Sequence, residues 1–301
     1  MATAKPPADL VRRVGYAIQA RSPKDRRGLH EVHDERGRES WELLRSLLPP
    51  SWDFTGKRAL DFGCGIGRML LNGPARERTG EFWGCDIDAA SIDWLERNAS
   101  PPLHVFRCPV VPPLPIEDGY FDLIYAWSVF THLTDSWSAW LAELHRVLAP
   151  DGLLVATVFG PGHSDFGGIP LGEDVVGMNV YAPYTPWSGG GPLIFHAEWW
   201  LRAHWGRAFE ILELRPGDPS GAPPLYGQGV VLMRPRPVSL TAVELEPPEP
   251  SEPREFTALR NNIASLSFEL ERHTVYLTSR SWRMTAPLRG AVRRLRRRFR
   301  R

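Results

Sequence analysis

The stretch that decides the fold runs from residue 58 to residue 68 and reads Arg58-Ala59-Leu60-Asp61-Phe62-Gly63-Cys64-Gly65-Ile66-Gly67-Arg68. A short apolar run closes on an acidic residue and is followed by three glycines at alternate positions. This pattern predicts a buried strand that turns sharply into a helix. Glycine suits such a turn because it adopts positive φ and lets the backbone approach a ligand closely. The stretch therefore predicts a binding crevice of the nucleotide type.

Two side chains in this stretch bear on the kind of ligand. Arg68 stands where a dinucleotide-binding fingerprint has its third glycine, which disfavours a pyrophosphate. Asp61 suits a ligand's ammonium group, directly or through water. The stretch resembles the first motif of the class I S-adenosylmethionine (SAM)-dependent methyltransferases, and the resemblance implies SAM as the cofactor, bound by Asp61, Gly63, Cys64, Gly65 and Gly67. Glycine-rich turns of this kind also serve NAD, FAD and purely structural turns.

Composition and charge describe a globular protein of 301 residues with a net charge of +1. The three cysteines, at positions 64, 85 and 108, are far apart, which argues against a zinc site or a disulfide framework. The sequence shows neither a signal-peptide pattern nor an apolar run of about 18 residues, so we expect a cytoplasmic protein. Residues 280–301 contain ten arginines and no acidic residue, which leaves a charge of −9 on the other 279 residues.

From residue 57 onward, strand-like and helix-like segments alternate, which predicts a parallel sheet covered by helices on both faces. The predicted strands are residues 57–62, 81–86, 103–107, 120–126, 153–159, 209–214 and 229–233. The short loop between the last two suits an antiparallel return, which distinguishes a methyltransferase sheet from a dinucleotide-binding one. We therefore predict an α/β, Rossmann-like, seven-stranded methyltransferase sheet that is mostly parallel, with the last strand antiparallel.

The sequence divides into an N-terminal helical cap, a methyltransferase domain with an insertion, a linker, and a C-terminal helix with a basic tail. The cap is predicted to hold helices at residues 9–20 and 39–48, which lie over the cofactor pocket or cover a sheet edge. The linker is rich in Pro and Glu and is predicted to be stiff and solvated rather than folded. The boundaries are 1–50 for the cap, 51–234 for the domain with its substrate-side insertion at 160–196, 235–255 for the linker, and 256–301 for the helix and tail.

The C-terminal helix carries a narrow apolar seam. Its members recur at intervals of three and four and are Leu259, Ile263, Leu266 and Leu270, extended by His273 and Leu277. Three heptads are too few for a helix to stand alone in water. The seam is therefore predicted to pack on a partner, which is either another subunit, in a homodimer through residues 259–277, or the methyltransferase body.

A second acidic motif, Gly84-Cys85-Asp86-Ile87-Asp88, closes the second predicted strand. The family resemblance assigns Asp86 to the ribose hydroxyls and Ile87 to the adenine face, with Asp88 as the cap of the next helix. NAD enzymes place an acid similarly. The third strand ends at Cys108, where the resembled family has an acid or amide near the adenine. Backbone groups of Cys108 are therefore assigned to the adenine, and the alternative treats all three cysteines as small apolar fillers.

The most specific resemblance lies in residues 114–133, which read LPIEDGYFDLIYAWSVFTHL, and in residues 144–154, which read LHRVLAPDGLL. Both segments match the methyltransferase family in the correct order, and the match implies that Ala126 and Trp127 contact the cofactor. His132 follows the fourth strand at the carboxyl end of the sheet, where open α/β sheets bind ligands. It is a candidate catalytic base for a hydroxyl acceptor, or alternatively a histidine bonded to a backbone carbonyl.

The insertion contains side chains that suit stacking on a sugar and bonding to its hydroxyls. The candidate substrate contacts are His163, Asp165, Tyr184, Trp187 and His196. A purely structural insertion is the alternative. No Asn-Pro-Pro-Tyr tetrad follows the fourth strand, and no cysteine follows Cys108, so the patterns of nucleobase amino-methylation and of 5-methylcytosine formation are absent.

Residues 279–289 resemble the "S.SWR.T.PLR" ending of bacterial glycosyltransferases and methyltransferases of surface-polysaccharide synthesis. Beyond it, Val292, Leu295 and Phe299 share a helical face among arginines, which predicts that residues 280–301 lie on an anionic membrane surface at its cytoplasmic face. Nucleic-acid binding and a solvated charge run are the alternatives. We therefore expect a SAM-dependent methyltransferase that O-methylates a sugar of a bacterial glycan or lipid-linked glycan. An RNA methyltransferase and a SAM-binding scaffold without activity are the competing hypotheses.

Overall fold

The computed structural model describes residues 4–13, 28–73, 79–99, 102–160, 172, 174–185, 191–218, 225, 227–279, 282 and 284–287. The strands are β1 Arg58–Phe62, β2 Glu81–Asp86, β3 His104–Arg107, β4 Phe121–Ala126, β5 Leu148–Val158, β6 Met178–Tyr181, β7 Leu193–His196, β8 Phe209–Arg215 and β9 Gly229–Pro235. The α-helices are α1 Ala8–Arg13, α2 Leu29–Leu47, α3 Arg68–Asn72, α4 Ala89–Ala99, α5 Trp137–Val147, α6 Glu198–His204, α7 Ala242–Leu245 and α8 Glu255–Thr278. Among these described helices, none combines the length and the apolar character needed to cross a membrane.

Seven strands form one sheet in the order β3-β2-β1-β4-β5-β9-β8. Strands β1 to β5 pair in parallel, and β9 runs antiparallel to both β5 and β8. The predicted fold class is thus confirmed, including its antiparallel last strand. The strand order reverses at β1, which lies between β2 and β4. Because parallel strands share one carboxyl edge, the turns after β1, β2 and β4 meet where ligands bind in open α/β sheets.

The sheet is buried on both faces because its central strands are apolar runs without polar alternation. Leu60 and Ile124 belong to a core on one face, which α5 and α6 cover. Ala59 and Leu123 belong to a second core on the opposite face, which α2, α3 and α4 cover. The rigid sheet therefore fixes the positions of the turns at its carboxyl edge.

The second N-terminal helix is longer than predicted. The prediction of a helix at residues 39–48 was wrong at its start, because α2 begins ten residues earlier, at Leu29. A Cβ atom at Gly37 would lie 2.3 Å from the carbonyl oxygen of Arg68, so α2 contacts α3 closely there. Trp41 packs on Phe82 and Tyr125 with ring centroids 5.9 and 6.1 Å apart. The helix therefore covers a face of the sheet rather than its edge.

The insertion forms an antiparallel hairpin of β6 and β7 in its described part. The Ile194 N–H donates to the Thr131 carbonyl over 2.9 Å, and Phe159 pairs with Phe195 in an isolated bridge. The hairpin thus lies beside the segments that follow β4 and β5. This position supports its assignment to the substrate side of the sheet.

The segment predicted as a solvated linker is partly folded onto the domain. The prediction was wrong for α7, where Thr241 and Glu244 form a capping box and Leu245 is fully buried. The Ser138 hydroxyl on α5 also donates to Glu246 Oε1 over 2.6 Å. A single buried leucine with a capped turn was enough to dock a segment whose composition indicated solvation.

A buried pair of His204 and Glu255 fastens the start of α8 to α6. His204 Nδ1 lies 2.9 Å from the Leu245 carbonyl oxygen, and Nε2 lies 3.2 Å from both carboxylate oxygens of Glu255. Each of the two side chains is 2% exposed. The Trp200 ring stacks on His204 at 4.4 Å, and the Glu249 N–H donates to Glu255. We call this group the clasp.

Candidate active site

The glycine turn after β1 has the predicted backbone, and its positive φ values confirm one of the two predicted reasons for its glycines. Gly63, Gly65 and Gly67 have φ values of 78°, 53° and 79°. A Cβ atom at Gly63 would lie 2.4 Å from Val129, and one at Gly67 would lie 2.7 Å from Leu95. At these two positions glycine is needed for positive φ and for packing within the protein, so close approach of a ligand is not the deciding factor.

Asp86 lies at the carboxyl end of β2, and the turn after β1 orients its carboxylate. The Gly65 N–H donates to Asp86 Oδ2 over 2.7 Å, and the Asp88 N–H donates to Oδ1 over 2.8 Å. Burial raises the pKa of Asp86, and the two backbone bonds act in the opposite direction. Each carboxylate oxygen retains further acceptor capacity, so the side chain remains able to accept two hydroxyl protons. Asp88 caps α4 as predicted, by bonds to the N–H and hydroxyl of Ser91.

A cavity of about 490 Å³ opens beyond β2 and β3, and it is lined by Ile87, residues 107–110 and residues 113–115. Ile87 is 44% exposed, so an apolar side chain faces the cavity at the place predicted for the adenine. The assignment of Cys108 needs a correction, because its N–H donates to the Asp86 carbonyl oxygen over 3.1 Å. The N–H of Cys108 is therefore occupied within the sheet. The backbone group of Cys108 that could accept from the amine of adenine is its carbonyl oxygen.

Asp61 and Tyr125 form a buried polar pair on neighbouring strands. They are register partners in β1 and β4, and Asp61 is 3% exposed. Burial raises the pKa of Asp61 well above its usual range, while Arg68 opposes the shift and Asp86 adds to it. Burial, and then the charge of Asp61, also raise the pKa of Tyr125, whose buried hydroxyl has no hydrogen-bond partner in the described structure. A ligand cation beside this pair would offset the desolvation of Asp61.

The remaining predicted cofactor residues are buried at the same edge. The N–H groups of Gly63 and Cys64 both donate to the Cys85 carbonyl oxygen, over 2.9 and 3.0 Å. Burial raises the pKa of the Cys64 thiol well above its usual range, so this side chain is a neutral filler. Ala126 is fully buried and Trp127 is 8% exposed at the end of β4. Their contact with the cofactor stays a prediction.

His132 lies in the turn after β4, beside the insertion hairpin. Its Nδ1 atom is 2.7 Å from the Pro192 carbonyl oxygen. A carbonyl only accepts, so this bond places the proton on Nδ1 and the lone pair on Nε2. Burial lowers the pKa of His132, and the bond to Pro192 opposes this with a smaller effect. The structure therefore shows the predicted bond to a backbone carbonyl, and the role of His132 as a base stays a prediction.

A polar cluster that the sequence analysis missed lies where β4, β5 and β9 meet. Ser128 has a φ of 60°, which non-glycine residues rarely adopt and which is often found at functional sites. Its N–H donates to Thr157 Oγ1 over 2.7 Å. Its hydroxyl bonds to the side-chain amide of Gln228, with Gln228 Nε2 2.8 Å away. Only the strand order brings these residues together, because Gln228 lies 100 positions from Ser128.

The predicted substrate contacts have different outcomes. Tyr184 stacks on His273 of α8, with ring centroids 4.4 Å apart, so one of its faces is already covered. His196 is 1% exposed between Trp200 and Trp205, and burial lowers its pKa to about 3. We therefore withdraw His196 as a sugar contact and treat it as a neutral core residue. The other three candidates, His163, Asp165 and Trp187, lie outside the described residues.

Comparisons with known proteins agree with this geometry. Residues 60–156 match the family model described as "Methyltransferase domain". The chain is 28% identical over 170 residues to phthiotriol/phenolphthiotriol dimycocerosates methyltransferase 1 of Mycobacterium ulcerans, which covers 54% of this chain and 61% of that protein. It is 33% identical over 107 residues to a malonyl-acyl-carrier-protein O-methyltransferase of Halorhodospira halophila, with coverages of 35% and 36%. A SAM-dependent methyltransferase structure from Mesorhizobium loti has a TM-score of 0.51 at 20% identity, covering 65% of this chain and 97% of that one.

Residues 60–156 thus match a methyltransferase domain, and the sheet that they help to form has the Rossmann-like fold of the Mesorhizobium loti structure. The chain spans 61% and 36% of the lengths of the two curated relatives. The family match holds the glycine turn, Asp86 and the end of β4. The insertion hairpin, α7 and α8 lie outside the family match.

Proposed function

We propose that the chain is an enzyme that transfers the methyl group of SAM to an oxygen atom of its acceptor. The observation that carries this proposal is the fixed tautomer of His132 beside the end of β4. A hydroxyl acceptor usually needs a base, whereas a neutral amine may not. The lowered pKa of His132 keeps the imidazole neutral near pH 7, which is the form that accepts a proton.

The residues at the carboxyl edge fit SAM from one end to the other. Asp86 would accept the ribose hydroxyls, and the cavity beside Ile87 would take the adenine. Asp61 and the lone pairs of the Tyr125 hydroxyl would accept from the ammonium group of the methionine portion. His132 and Ser128 follow β4, the neighbour of β1 in the sheet, and would face the acceptor there.

When bound, SAM supplies an electrophilic methyl group on a sulfonium. His132 would take the proton of the acceptor hydroxyl at Nε2 as the oxygen forms its bond to the methyl carbon, and would then release that proton to solvent. Pro192 holds the ring in place through Nδ1. Gln228 and Ser128 would orient the acceptor by hydrogen bonds, because both carry donors and acceptors at the same edge.

For the acceptor we propose a sugar hydroxyl of a glycan or lipid-linked glycan. The resemblance of residues 279–289 to enzymes of surface-polysaccharide synthesis supports this class, and the position of the hairpin beside His132 provides a wall for a bulky acceptor. The name of the Halorhodospira relative supports oxygen as the methylated atom, and it also favours a second candidate, an acyl acceptor.

Methyl-labelled SAM incubated with the purified full chain and separated polysaccharide, lipid and RNA fractions tests this proposal. Label in an alkali-stable ether on a sugar is the expected result, because an O-methyl ether resists the base that cleaves an ester. Label in a base-labile ester would favour the acyl acceptor, and label in RNA would favour the nucleic-acid hypothesis. SAM binding without transfer to any fraction would favour the inactive scaffold.

A further inference from the structure

The helix α8 repeats an apolar residue at every seventh position over its whole length. These residues are Phe256, Ile263, Leu270 and Leu277, with Leu259 and Leu266 three positions after the first two. A strict seven-residue repeat of this kind keeps one straight seam on the helix when it winds around a second helix with a left-handed twist. The helix has 24 residues, which is about 36 Å at 1.5 Å per residue.

The body of the protein covers one side of this seam and leaves its seven-residue repeat exposed. The face of α8 that contacts the body carries Ala258, which is 3% exposed, and Asn262, whose Oδ1 accepts the Val180 N–H of β6 over 3.0 Å. Two members of the predicted seam lie toward this face, because Leu266 is half-buried and His273 stacks on Tyr184. The prediction that the seam packs on the body therefore holds for this side, and a partner subunit is needed only for the exposed repeat.

The seam is exposed to an extent that is unusual for a monomer. Phe256, Ile263 and Leu270 are 65%, 64% and 52% exposed, and Leu259 and Leu277 are 40% and 39% exposed. From typical side-chain areas, the stripe offers roughly 500 Å² per helix, which reaches the size of the largest patches on monomers. Two such stripes face to face would bury roughly 1,000 Å², about the lower bound for a specific interface.

The chemistry of the seam favours a second copy of this chain over a lipid surface. A heptad seam is self-complementary, because its apolar knobs fit the holes between the same residues of an identical helix. The charged residues beside it, Arg260 and Glu269, have opposite signs, so the stripe has no net charge to attract an anionic headgroup. Lipid binding would reward a basic flank, which this chain places instead in residues 280–301.

We propose that two copies of this chain associate along α8 as a two-stranded coiled coil, with Phe256, Ile263, Leu270 and Leu277 at the interface. The proposal does not depend on the methyl acceptor. The clasp holds the start of α8 on the body, so the dimer would also set the two methyltransferase domains at a fixed distance from each other.

Sedimentation equilibrium of the full chain tests this association directly. The expected mass of the wild type is twice the 34.0 kDa of one chain. The double variant Ile263→Glu with Leu270→Glu should raise the dissociation constant of the dimer about a hundredfold or more, because charge replaces buried apolar area in both helices. The matched control is Phe268→Glu with Val275→Glu, since these residues are 59% and 69% exposed on another face of the same helix. The control should remain dimeric, and SAM affinity should be unchanged in both variants.

A single-chain mass for the wild type at all concentrations would overturn the proposal, as would an equal weakening by the seam and control substitutions. A second measurement covers the case in which the seam variant does not fold. Ile263→Cys should be linked into a dimer by a short bis-maleimide, whereas Phe268→Cys should not. The native cysteines do not interfere, because all three are buried. No linkage at position 263 would contradict the interface.

Discussion

Removing one member of the clasp should destabilise the protein more than removing both. Glu255 and His204 are each 2% exposed and lie 3.2 Å apart, and His204 also donates to the Leu245 carbonyl. Glu255→Leu would leave the buried Nε2 of His204 without its hydrogen-bond partner. His204→Leu would leave a buried carboxylate that retains the Glu249 N–H.

The magnitude follows from the burial of both partners. Removal of one partner leaves the other buried polar group unpaired, at a cost of about 1–3 kcal/mol or more, whereas replacing both partners by apolar residues is often neutral. The double variant still leaves the Glu249 N–H without its carboxylate, but the Leu245 carbonyl keeps its bond from Arg207 Nη1 over 3.0 Å. We therefore expect the double variant to be destabilised less than either single variant, so that the two changes are strongly non-additive.

Urea unfolding followed by tryptophan fluorescence measures these free energies, since Trp200 stacks on His204 and reports the clasp. Arg202→Leu is a matched control, because Arg202 pairs with Glu198 on the exposed side of the same helix. Its effect should stay within about 0.5 kcal/mol. If both single clasp variants also remained within that range, the assignment of the clasp as a stabilising pair would be refuted.

Four further predictions address the base, the acceptor site, a core histidine and the tail. His132→Ala should lower turnover about a hundredfold or more and leave SAM affinity unchanged. In the wild type, turnover should fall on acidification only below the ordinary histidine pKa of 6.5, because protonation removes the base. His145→Ala is the control, since it loses only a bond to a carbonyl at the opposite edge of the sheet. Gln228→Ala should raise the acceptor KM and leave SAM affinity unchanged, as separate titrations of the two substrates would show. The stability of the wild type should fall as pH drops from 6.5 toward 3, in part because His196 takes up a proton in this range only in the unfolded state, and His196→Phe should make this dependence shallower in urea titrations. Vesicle sedimentation should show that residues 280–301 bind anionic lipid, and the emission of Trp282 should shift to the blue on binding. Binding to lipid should weaken when serine replaces Val292, Leu295 and Phe299. Tight binding to RNA without binding to vesicles would contradict this prediction.

The sheet could be predicted from the sequence because each strand is a local apolar run followed by a turn. The run before Asp61 and the three glycines after it specify β1 and its turn without reference to any other part of the chain. The same holds for Asp86, since the acid closes its own strand. For a segment whose structure depends only on its own residues, their spacing and type were sufficient to predict that structure.

Tertiary contacts decided the features that the sequence did not predict. The predicted helix began only at residue 39, whereas α2 starts at Leu29 and contacts Arg68 closely at Gly37. Leu245 reads as part of a solvated linker, but it is buried beneath the clasp. Gln228 joins Ser128 only because β9 inserts beside β5. The apolar seam of α8 was recognised, but only the structure shows that the body covers one side of it.

Calorimetric titration of SAM into the full chain and into Asp86→Ala measures whether the cofactor binds at the carboxyl ends of β1 and β2. We predict that the wild type binds SAM and that Asp86→Ala weakens binding about a hundredfold or more, because the ribose loses a charged acceptor for two hydroxyls. Asp88→Ala is the matched control, since this carboxylate lies two residues away and caps α4, and its affinity should remain within a few fold of the wild type. Equal affinity of wild type and Asp86→Ala, or no SAM binding by the wild type, would contradict the location of the cofactor at this edge of the sheet.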